Sequence, residues 1–563
     1  MVSIRPTMSD SVVLIPVSQW LSALDTPGGS VRRMLDAIYG TAPLDDRLAL
    51  LRRALQGFAE AFGDAPVMVV RAPGRLNLRG MHVDTHGGYL NLVTHQREIV
   101  VVAAPSADGV SRWRNDRNEH APFELDLRGI DPHQCESAWV DYIGTANVRA
   151  RVDAHQGSWA AYIEGALLRA ARASESSPAE VALNAYVASD LPEGAAVSSS
   201  AALCLAVFLA ACGARGFEPT PAEQILATRD AEWYTGARTG TSDPAAMVLG
   251  ATGELVHVAL LAEKFSIAHA ERLVWPADDV VVLTVHSHTQ RRLAGAELLA
   301  YTTNRFAYSV ALEVFRQEMQ GLGFADIRVE MIDRLAHIQP DFFGGIRTLA
   351  GILSRVPEIS SIEALRARYN LPDLDALVTR YFGTHEPPEV IGVRGPLVFG
   401  IAESHRARLF RQRLADRDFP GLGALMTAGH NGDRVRTPGG TQPYDRSVSL
   451  AAVAHLADES ILLENLPGDY GASSPVLDAL VDAALEAGSL GASLTGAGIA
   501  GSVIALARED EAEAVMQALR ATLSSERYAR TAGWPSALDA DTAEKSVEVN
   551  HITAPAGILP LSV

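Results

Sequence analysis

The sequence predicts an α+β fold, because strand-like and helix-like segments alternate along its 563 residues without a regular βαβ rhythm. Hydrophobic residues make up 48% and charged residues 20%, which is typical of a globular protein with large cores. A chain of this length is expected to form two or three domains. The segment 1–65 is expected to be a helical N-terminal extension, with helical periodicity over 30–40 and 45–63, and a second half begins near the strand-like segment at 280–287.

Periodicity and turn residues place the elements of the first half in order. Helices are expected where apolar residues recur every three or four positions and a glycine follows, and strands where β-branched residues cluster. The predicted elements are helices over 30–40 and 45–63, strands over 67–72 and 97–105, a Pro-Gly turn at 73–75, a helix over 159–174, a strand over 181–192, an apolar helix over 201–216 and a helix over 221–236.

The second half is predicted in the same way. Long helical patterns alternate with segments that are rich in proline and glycine. The predicted elements are a strand over 280–287, a helix over 298–321, short helices with breaks over 325–395, a helix in the later part of 394–418, a polar loop within 432–468, a helix over 473–488, a glycine-rich turn over 491–501 and a strand over 502–509.

Charge and cysteine content limit the possible partners. The net charge of −19 argues against non-specific binding to nucleic acid or to an anionic membrane, since both need basic surface. No apolar run reaches the length of a membrane span, and no signal peptide is recognisable, so we expect a cytoplasmic protein. Three cysteines, Cys135, Cys204 and Cys212, are a sparse and odd number, which favours a reducing compartment.

The segment 191–200, LPEGAAVSSS, indicates an anion site. Small residues and three serines lead into an apolar run that is expected to be a buried helix. Serines at a helix start cap backbone N–H groups, and the same N–H groups with the helix dipole attract phosphate. We therefore interpret 192–200 as a phosphate-binding loop, with an ordinary serine-capped helix as the alternative. It lacks the lysine of the GxxxxGK[ST] motif.

A second motif, RAPGRLNLRGMHVDTHGG at 71–88, brings Arg75, His82 and Asp84 together among glycines. An arginine fork suits phosphate, and His and Asp side chains suit sugar hydroxyls. One alternative is a plain polar loop between strands. Another is a metal site, because His82, Asp84 and His86 alternate as H-x-D-x-H.

Two more motifs fit phosphoryl transfer. Glu232 lies on a predicted helix and Asp243 on the loop that follows, and ATP chemistry needs one carboxylate for Mg²⁺ and often one near the attacking hydroxyl. A surface Glu and a turn Asp are the alternative. The segment LTGAGIAG at 494–501 matches GxGxxG, but a strand follows it, so a close-packed glycine turn fits better than a dinucleotide site.

These four motifs, in this order, resemble the GHMP kinase superfamily and most closely its galactokinase branch. The resemblance covers roughly 66–305 and 394–510. It implies a two-lobed fold, with a ribosomal-protein-S5-like N-terminal ATP-binding lobe at 66–279 and a ferredoxin-like C-terminal lobe at 280–563. The N-terminal extension over 1–65 and the insertions near 310–393 and 432–468 lie outside the usual length.

The resemblance implies an ATP-dependent, Mg²⁺-requiring kinase for a sugar hydroxyl, most often the anomeric one. Asp243 would orient or deprotonate that hydroxyl, and Arg75 would stabilise the transferring group. Ser200 and Glu232 would hold Mg²⁺. The residues of the ATP-phosphate loop would be Gly194, Ala195, Ala196, Val197, Ser198, Ser199 and Ser200; those of the sugar pocket Met81, His82, Asp84 and Tyr301; and those of the glycine motif Gly496, Gly498 and Gly501.

The sugar motif departs from the galactokinase pattern at two positions. Met81 occupies a position that is usually acidic, and Arg79 one that is usually aliphatic. A lost carboxylate should discriminate against the usual substrate, so we expect a sugar other than plain D-galactose, such as a pentose, a deoxysugar or a uronic acid. Arg79 would pair with a substrate carboxylate or point to solvent. The alternatives are a kinase for a non-anomeric hydroxyl or a cyclitol, a silent sugar sensor and, distantly, a metal hydrolase. The sequence assigns no oligomeric state.

Overall fold

The structure is a computed structural model. It describes residues 13–26, 28–130, 139–155, 158–192, 194–259, 267, 270–289, 295–383, 386–446 and 448–560, and leaves out the side chains of 295–298 and 301. Cys135 lies outside these residues, whereas Cys204 and Cys212 are buried free thiols. Among the described residues, no helix is both long and apolar enough to cross a membrane.

The first half of the chain contains helices and strands in irregular alternation. Their bounds are β1 Ile15–Pro16, α1 Val17–Leu24, α2 Ser30–Tyr39, α3 Leu44–Phe62, β2 Pro66–Arg79, β3 Tyr89–Pro105, β4 Val110–Asn115, β5 Phe123–Asp126, α4 Trp139–Ile143, α5 Ala146–Ala154, α6 Ala160–Ala173, β6 Leu183–Ser189, α7 Ser199–Ala214, α8 Pro221–Tyr234, α9 Ser242–Leu249, β7 Glu254–Ala259 and β8 Glu271–Val274.

The second half adds more helices and two further sheets. Its elements are β9 Val280–His286, α10 Gly295–Gly321, α11 Asp326–Glu330, α12 Ile346–Leu353, β10 Ile359–Ser361, α13 Ile362–Arg368, α14 Leu374–Phe382, β11 Val390–Gly392, α15 Arg394–Ala415, α16 Phe419–Asp433, α17 Leu450–Ala457, α18 Pro475–Glu486, β12 Gly491–Leu494, β13 Ser502–Arg508, α19 Ala512–Leu523, α20 Glu526–Ala532, α21 Ala540–Lys545, β14 Val547–Val549 and β15 Gly557–Ile558.

The large sheet lies between two helical layers. Its main path, within the described residues, runs β1-β2-β3-β6-β4-β5, with β7 and β15 pairing off that path. Because side chains alternate across a strand, Val67 and Val69 pack with α1 to α3, whereas Met68 and Val70 join the core that contains α6 and α7. The predicted helical segment before residue 66 therefore covers one face of this sheet.

The second sheet has the order β12-β13-β9-β14 and is antiparallel throughout. Helices α18 and α19 pack on it through apolar side chains such as Leu477, Leu480 and Val515. The last strand, β15, returns to the large sheet, where Ile558 pairs with Val70. The lobe boundary near residue 280 stays a prediction.

Helix α7 confirms the prediction made from its all-round apolar sequence. Every residue from Ala201 to Gly213 is buried, because the helix is enclosed by the sheet and by α6 and α8. The mixed, irregular alternation of helix and strand likewise confirms the α+β class.

Several elements differ from the prediction. The chain does not turn at Pro73-Gly74-Arg75: β2 continues to Arg79, with a register shift against β3 between Pro73 and Arg75. A bulge accommodates the proline inside a paired strand. In the sequence alone, a Pro-Gly pair at such a bulge looks the same as a turn. Helix α15 is helical from Arg394 onward, and not only in its later part.

Buried and half-buried histidines make the stability of this fold depend on pH. Burial lowers the pKa of His86, His95 and His286 to about 3. In the unfolded chain they bind protons below about pH 6.5. Their contribution is therefore fully present above that pH and is lost as the pH falls toward 3, at up to about 1.4 kcal/mol per pH unit each.

We accordingly expect the urea midpoint to fall steadily between pH 7 and pH 5. His286→Gln should make this slope shallower, whereas His455→Gln, at an exposed position on α17, should leave it unchanged. Denaturation followed by fluorescence at several pH values measures both slopes. Identical slopes in wild type and His286→Gln would contradict the assignment.

Candidate functional site

A cavity of about 840 Å³ contains most of the predicted site residues. This volume is in the range of small-ligand pockets. Its walls come from β2, the loop before α7, the loop before α9 and the glycine turn that follows β12. Of the predicted residues, the following line it: Arg75, His82, Asp84, Gly194, Ala196, Ser198, Ser199, Ser200, Glu232, Asp243, Gly496 and Gly498.

The loop that leads into α7 has an unusual backbone. Gly194, Ala196 and Ser198 all have left-handed φ angles of 70°, 59° and 66°. Such strained positions in non-glycine residues are often found at functional sites. The side chains of Ala195 and Val197 are buried in the core, so they anchor the loop from behind.

The serines at the start of α7 do not match the alternative of an ordinary serine-capped helix. Ser198 occupies the N-cap position, but its side chain makes no capping hydrogen bond. The Ser198 and Ser200 hydroxyls instead donate hydrogen bonds to the carboxylates of Asp243 and Glu232. Ser198, Ser199 and Ser200 line the cavity, so the first N–H groups of this 16-residue helix lie at its wall without a cap from Ser198, which suits a phosphate.

The glycine turn packs directly on this loop. A Cβ at Gly496 would lie 2.8 Å from the Ala196 carbonyl oxygen, and one at Gly501 would lie 2.6 Å from the Ala196 Cβ. Ser502 Oγ also donates to the Ala195 carbonyl at 2.5 Å. Only glycine fits such close approach, and the turn thus fixes the loop rather than a dinucleotide.

Arg75 and Asp243 form an ion pair on the cavity wall. Arg75 Nε donates to Asp243 Oδ1 at 2.8 Å, and Arg75 Nη1 donates to the Ala196 carbonyl at 2.5 Å. Burial raises the pKa of the Asp243 carboxyl, but the Arg75 charge and hydrogen bonds from Arg75, Ser198 and Ser242 outweigh it, so the pKa lies below its ordinary value. Asp243 is therefore ionised at neutral pH.

Ser200 and Glu232 lie side by side and could hold a cation. Ser200 Oγ donates to Glu232 Oε1 at 2.7 Å, and Thr239 Oγ1 donates to Glu232 Oε2 at 2.9 Å. Burial, followed by the nearby Asp243 charge, raises the pKa of Glu232 to about 7. A buried carboxylate with unfavourable charge is stabilised by a cation, and the oxygen donors fit the preference of Mg²⁺.

The predicted sugar residues occupy separate places on the cavity wall. Asp84 Oδ2 accepts from the Ser242 N–H at 3.2 Å, and a Cβ at Gly240 would lie 1.8 Å from that oxygen. His82 is 3.5 Å from Asp433 Oδ1, whereas His86 contacts Ser309. The three residues of the H-x-D-x-H pattern thus have different partners. No metal-binding group of three such side chains occurs in the part of the chain that the structure describes.

Two predictions for the sugar motif are wrong. The Met81 side chain is buried in the core of the second sheet and is not among the cavity-lining residues. Arg79 is fully buried, neither solvent-facing nor turned to a ligand: its Nε donates to Glu403 at 2.6 Å. A buried guanidinium needs a carboxylate partner, and α15 provides it.

Other residues at the site were not predicted. Tyr470 lines the cavity and stacks on the His82 ring, with centroids 4.3 Å apart. The segments 115–120 and 152–162 supply further wall residues, including Trp159. Asp433 stands behind His82 at the end of α16. The side chain of Tyr301, predicted to line the sugar pocket, lies outside the described residues.

Three family models match the chain at the segments that build this site. They are the galactokinase galactose-binding signature at 56–105, the GHMP kinase N-terminal domain at 161–251 and the GHMP kinase C-terminal model at 447–525. The first covers β2 and Asp84, the second covers the α7 loop and Asp243, and the third covers the glycine turn.

Curated relatives and a solved structure agree with these matches. A galactokinase from Mycobacterium bovis (strain BCG / Pasteur 1173P2) is 27% identical over 82% of this chain and 93% of its own length. A galactokinase from Roseiflexus sp. (strain RS-1) is 26% identical over 81% and 87%. The crystal structure of Lactococcus lactis galactokinase complexed with galactose has a TM-score of 0.57 at 18% identity, covering 90% of this chain and 98% of that one, and shows the shared fold.

The order of the motifs, the packing of loop, ion pair and glycine turn around one cavity, and the three family matches all agree. The chain belongs to the GHMP kinase superfamily, as a galactokinase-like sugar kinase.

Proposed function

We propose that this protein transfers the γ-phosphoryl group of ATP to the anomeric hydroxyl of a sugar other than plain D-galactose. The observation that carries the proposal is the cluster of Arg75, Ser198 and Asp243 at the N-terminus of α7. Phosphoryl transfer needs mainly positioning and charge neutralisation, and this cluster offers a cation, free N–H groups and an ionised carboxylate.

In this proposal each group has a distinct task. The N–H groups at the start of α7 bind the ATP phosphates, and Arg75 stabilises charge on the transferring group. Mg²⁺, held by Ser200 and Glu232, would neutralise phosphate charge. The sugar oxygen forms a bond to the γ-phosphorus while the bond to the bridging oxygen of ADP breaks. Asp243 orients the hydroxyl and takes its proton as that bond forms.

The remaining cavity wall suits the two substrates. His82, Asp84 and Tyr470 offer polar groups and an aromatic face to a sugar. Apolar and aromatic residues such as Trp159 and Leu203 offer a surface for a nucleoside base. Since Met81 gives the pocket no carboxylate, a hydroxyl that needs one for recognition has a weaker partner here.

An acceptor panel tests this function. We expect ADP release that depends on Mg²⁺ and stops with excess EDTA, when hexoses, pentoses, deoxysugars, uronic acids and cyclitols are each supplied with ATP. Proton-coupled phosphorus NMR of the product identifies the phosphorylated carbon. If D-galactose has the highest kcat/KM of the panel, the proposal of a different sugar substrate is refuted. Phosphate on a carbon other than the anomeric one would refute the anomeric assignment.

A silent sugar sensor is the second candidate, favoured by the sugar-facing residues alone. It predicts sugar binding by calorimetry with no ADP release from any acceptor. The complete set of Arg75, Ser200, Glu232 and Asp243 in one cavity supports the kinase over the sensor, because a sensor has no use for the transfer groups.

A further inference from the structure

A buried histidine–aspartate pair stands at the sugar-facing part of the cavity wall. His82 Nε2 lies 3.5 Å from Asp433 Oδ1, and the two side chains are only 4% and 1% exposed. His82 Nε2 and Asp433 Oδ2 are both buried, and neither has a hydrogen-bond partner among the described residues. A second feature marks the same place: His82 has a left-handed backbone, with φ at 60°.

Asp433 is placed where a carboxylate is costly. It is the last residue of α16, where the helix dipole disfavours negative charge. Its Oδ1 accepts from the Ala472 N–H at 3.1 Å, but no described residue donates a hydrogen bond to its Oδ2. Burying an incompletely paired carboxylate at a helix C-terminus destabilises the fold, which indicates a functional reason for the residue.

The pair constrains the protonation of His82. A carboxylate facing Nε2 is best satisfied when Nε2 carries the proton, and the neutral ring then has a lone pair on Nδ1. Tyr470, stacked on the ring at an interplanar angle of 11°, prevents the ring from turning away. Because His82 lines the cavity and Nε2 is buried, Nδ1 is the nitrogen that a ligand can reach.

We propose that Asp433 is a positioning residue that holds His82 as the Nε2–H tautomer. In this tautomer the unprotonated Nδ1 accepts a hydrogen bond that a hydroxyl of the sugar substrate donates. This inference rests on the proposed function and names how its sugar pocket reads a hydroxyl. It also explains how the pocket works without an acidic residue at Met81: the carboxylate acts from α16 through the histidine. A ligand that lacks the hydroxyl donor leaves Nδ1 unpaired and should bind more weakly.

Kinetics of Asp433→Asn test the role. The amide can present a donor to Nε2 and thereby favour the wrong tautomer. We expect the acceptor KM to rise at least tenfold, with the ATP KM and kcat within about twofold of wild type. The matched control is Asp478→Asn, because Asp478 is another buried aspartate beside a histidine of α16, 3.1 Å from His430, but does not line the cavity. It should leave the acceptor KM unchanged.

A double-mutant cycle separates positioning from general damage. If Asp433 acts through His82, then Asp433→Asn should have no further effect in a His82→Gln background. An unchanged acceptor KM in Asp433→Asn, or an equal loss in both backgrounds, would overturn the proposal. Thermal melts of each variant check that the fold is retained.

A spectroscopic readout keeps this test independent of turnover. In protein labelled with ¹⁵N-histidine, the His82 signals, assigned with His82→Gln, should show protonated Nε2 and unprotonated Nδ1 in wild type. Asp433→Asn should shift this pattern, and Asp478→Asn should not. A wild-type protein that releases no ADP with any acceptor would refute the proposed kinase function. Protonated Nδ1 in wild-type His82 would refute only the positioning role of Asp433 and leave the kinase function untouched.

Discussion

Replacing Asp243 by asparagine is expected to lower kcat by at least about a hundredfold while ATP still binds nearly as well as to wild type. The amide keeps the size of the carboxylate and can still contact Arg75 and Ser198. It cannot accept the proton of the attacking hydroxyl and carries no charge. The loss should therefore appear in turnover, measured by ADP release, and not in nucleotide affinity, measured by calorimetry.

Asp230→Asn provides the matched control for this experiment. Asp230 is also a buried carboxylate paired with arginine, through Arg229 at 2.7 Å, but it does not line the cavity. Its variant should keep wild-type kcat. Unchanged turnover in Asp243→Asn would remove Asp243 from the mechanism. Because the pKa of Asp243 is lowered, the carboxylate is a weak base, and we favour hydroxyl orientation as its larger contribution.

Local sequence patterns were sufficient for the parts of this protein that depend on neighbours in the chain. The apolar run of α7 predicted a buried helix because no face of it could be solvated. The order of the serine loop, Asp243 and the glycine turn resembles the GHMP kinases and so predicted that these segments lie together, and they line one cavity. Such features can be recognised from the periodicity or the motif spacing of a single sequence.

Long-range pairing explains what the sequence could not predict. The path of β2 beyond Pro73 depends on its register with β3, which no local pattern reveals. Glu403 is 324 positions from Arg79, in a helix where it looks like any polar residue. The available signal was Arg79 itself: a charge inside an apolar strand requires a buried partner, although the sequence does not say where that partner comes from.

Glu403 is a residue whose loss we expect to destabilise the fold strongly. It is fully buried on α15 and accepts from Arg79 Nε at 2.6 Å and Arg406 Nε at 2.7 Å. The N–H groups of Gly80 and Met81 also donate to it, at 2.7 and 2.9 Å. Burial raises the pKa of its carboxyl, but the two arginines outweigh that effect and lower it to about 2. It therefore stays charged over the whole range of neutral and mildly acidic pH.

Glu403→Gln should lower the free energy of unfolding by about 3–5 kcal/mol, since it removes the carboxylate to which two buried guanidinium groups donate hydrogen bonds. Glu318→Gln is the matched control. Glu318 also accepts from two arginines, Arg355 and Arg368, but these are 45% and 57% exposed and water can solvate them. Its variant should cost about 1 kcal/mol or less. Urea denaturation of both variants measures the difference.

The same substitution should also disturb the sugar pocket, because Glu403 holds the backbone just before His82 and Asp84. Folded Glu403→Gln protein is therefore expected to bind the acceptor more weakly than wild type, with ATP binding little changed. Equal urea midpoints for the two variants would show that the buried network does not stabilise the fold as its geometry suggests. A stable Glu403→Gln with normal acceptor binding would show that the loop is held by its other contacts, of which the Asn77 amide hydrogen bond to Gly80 is the nearest.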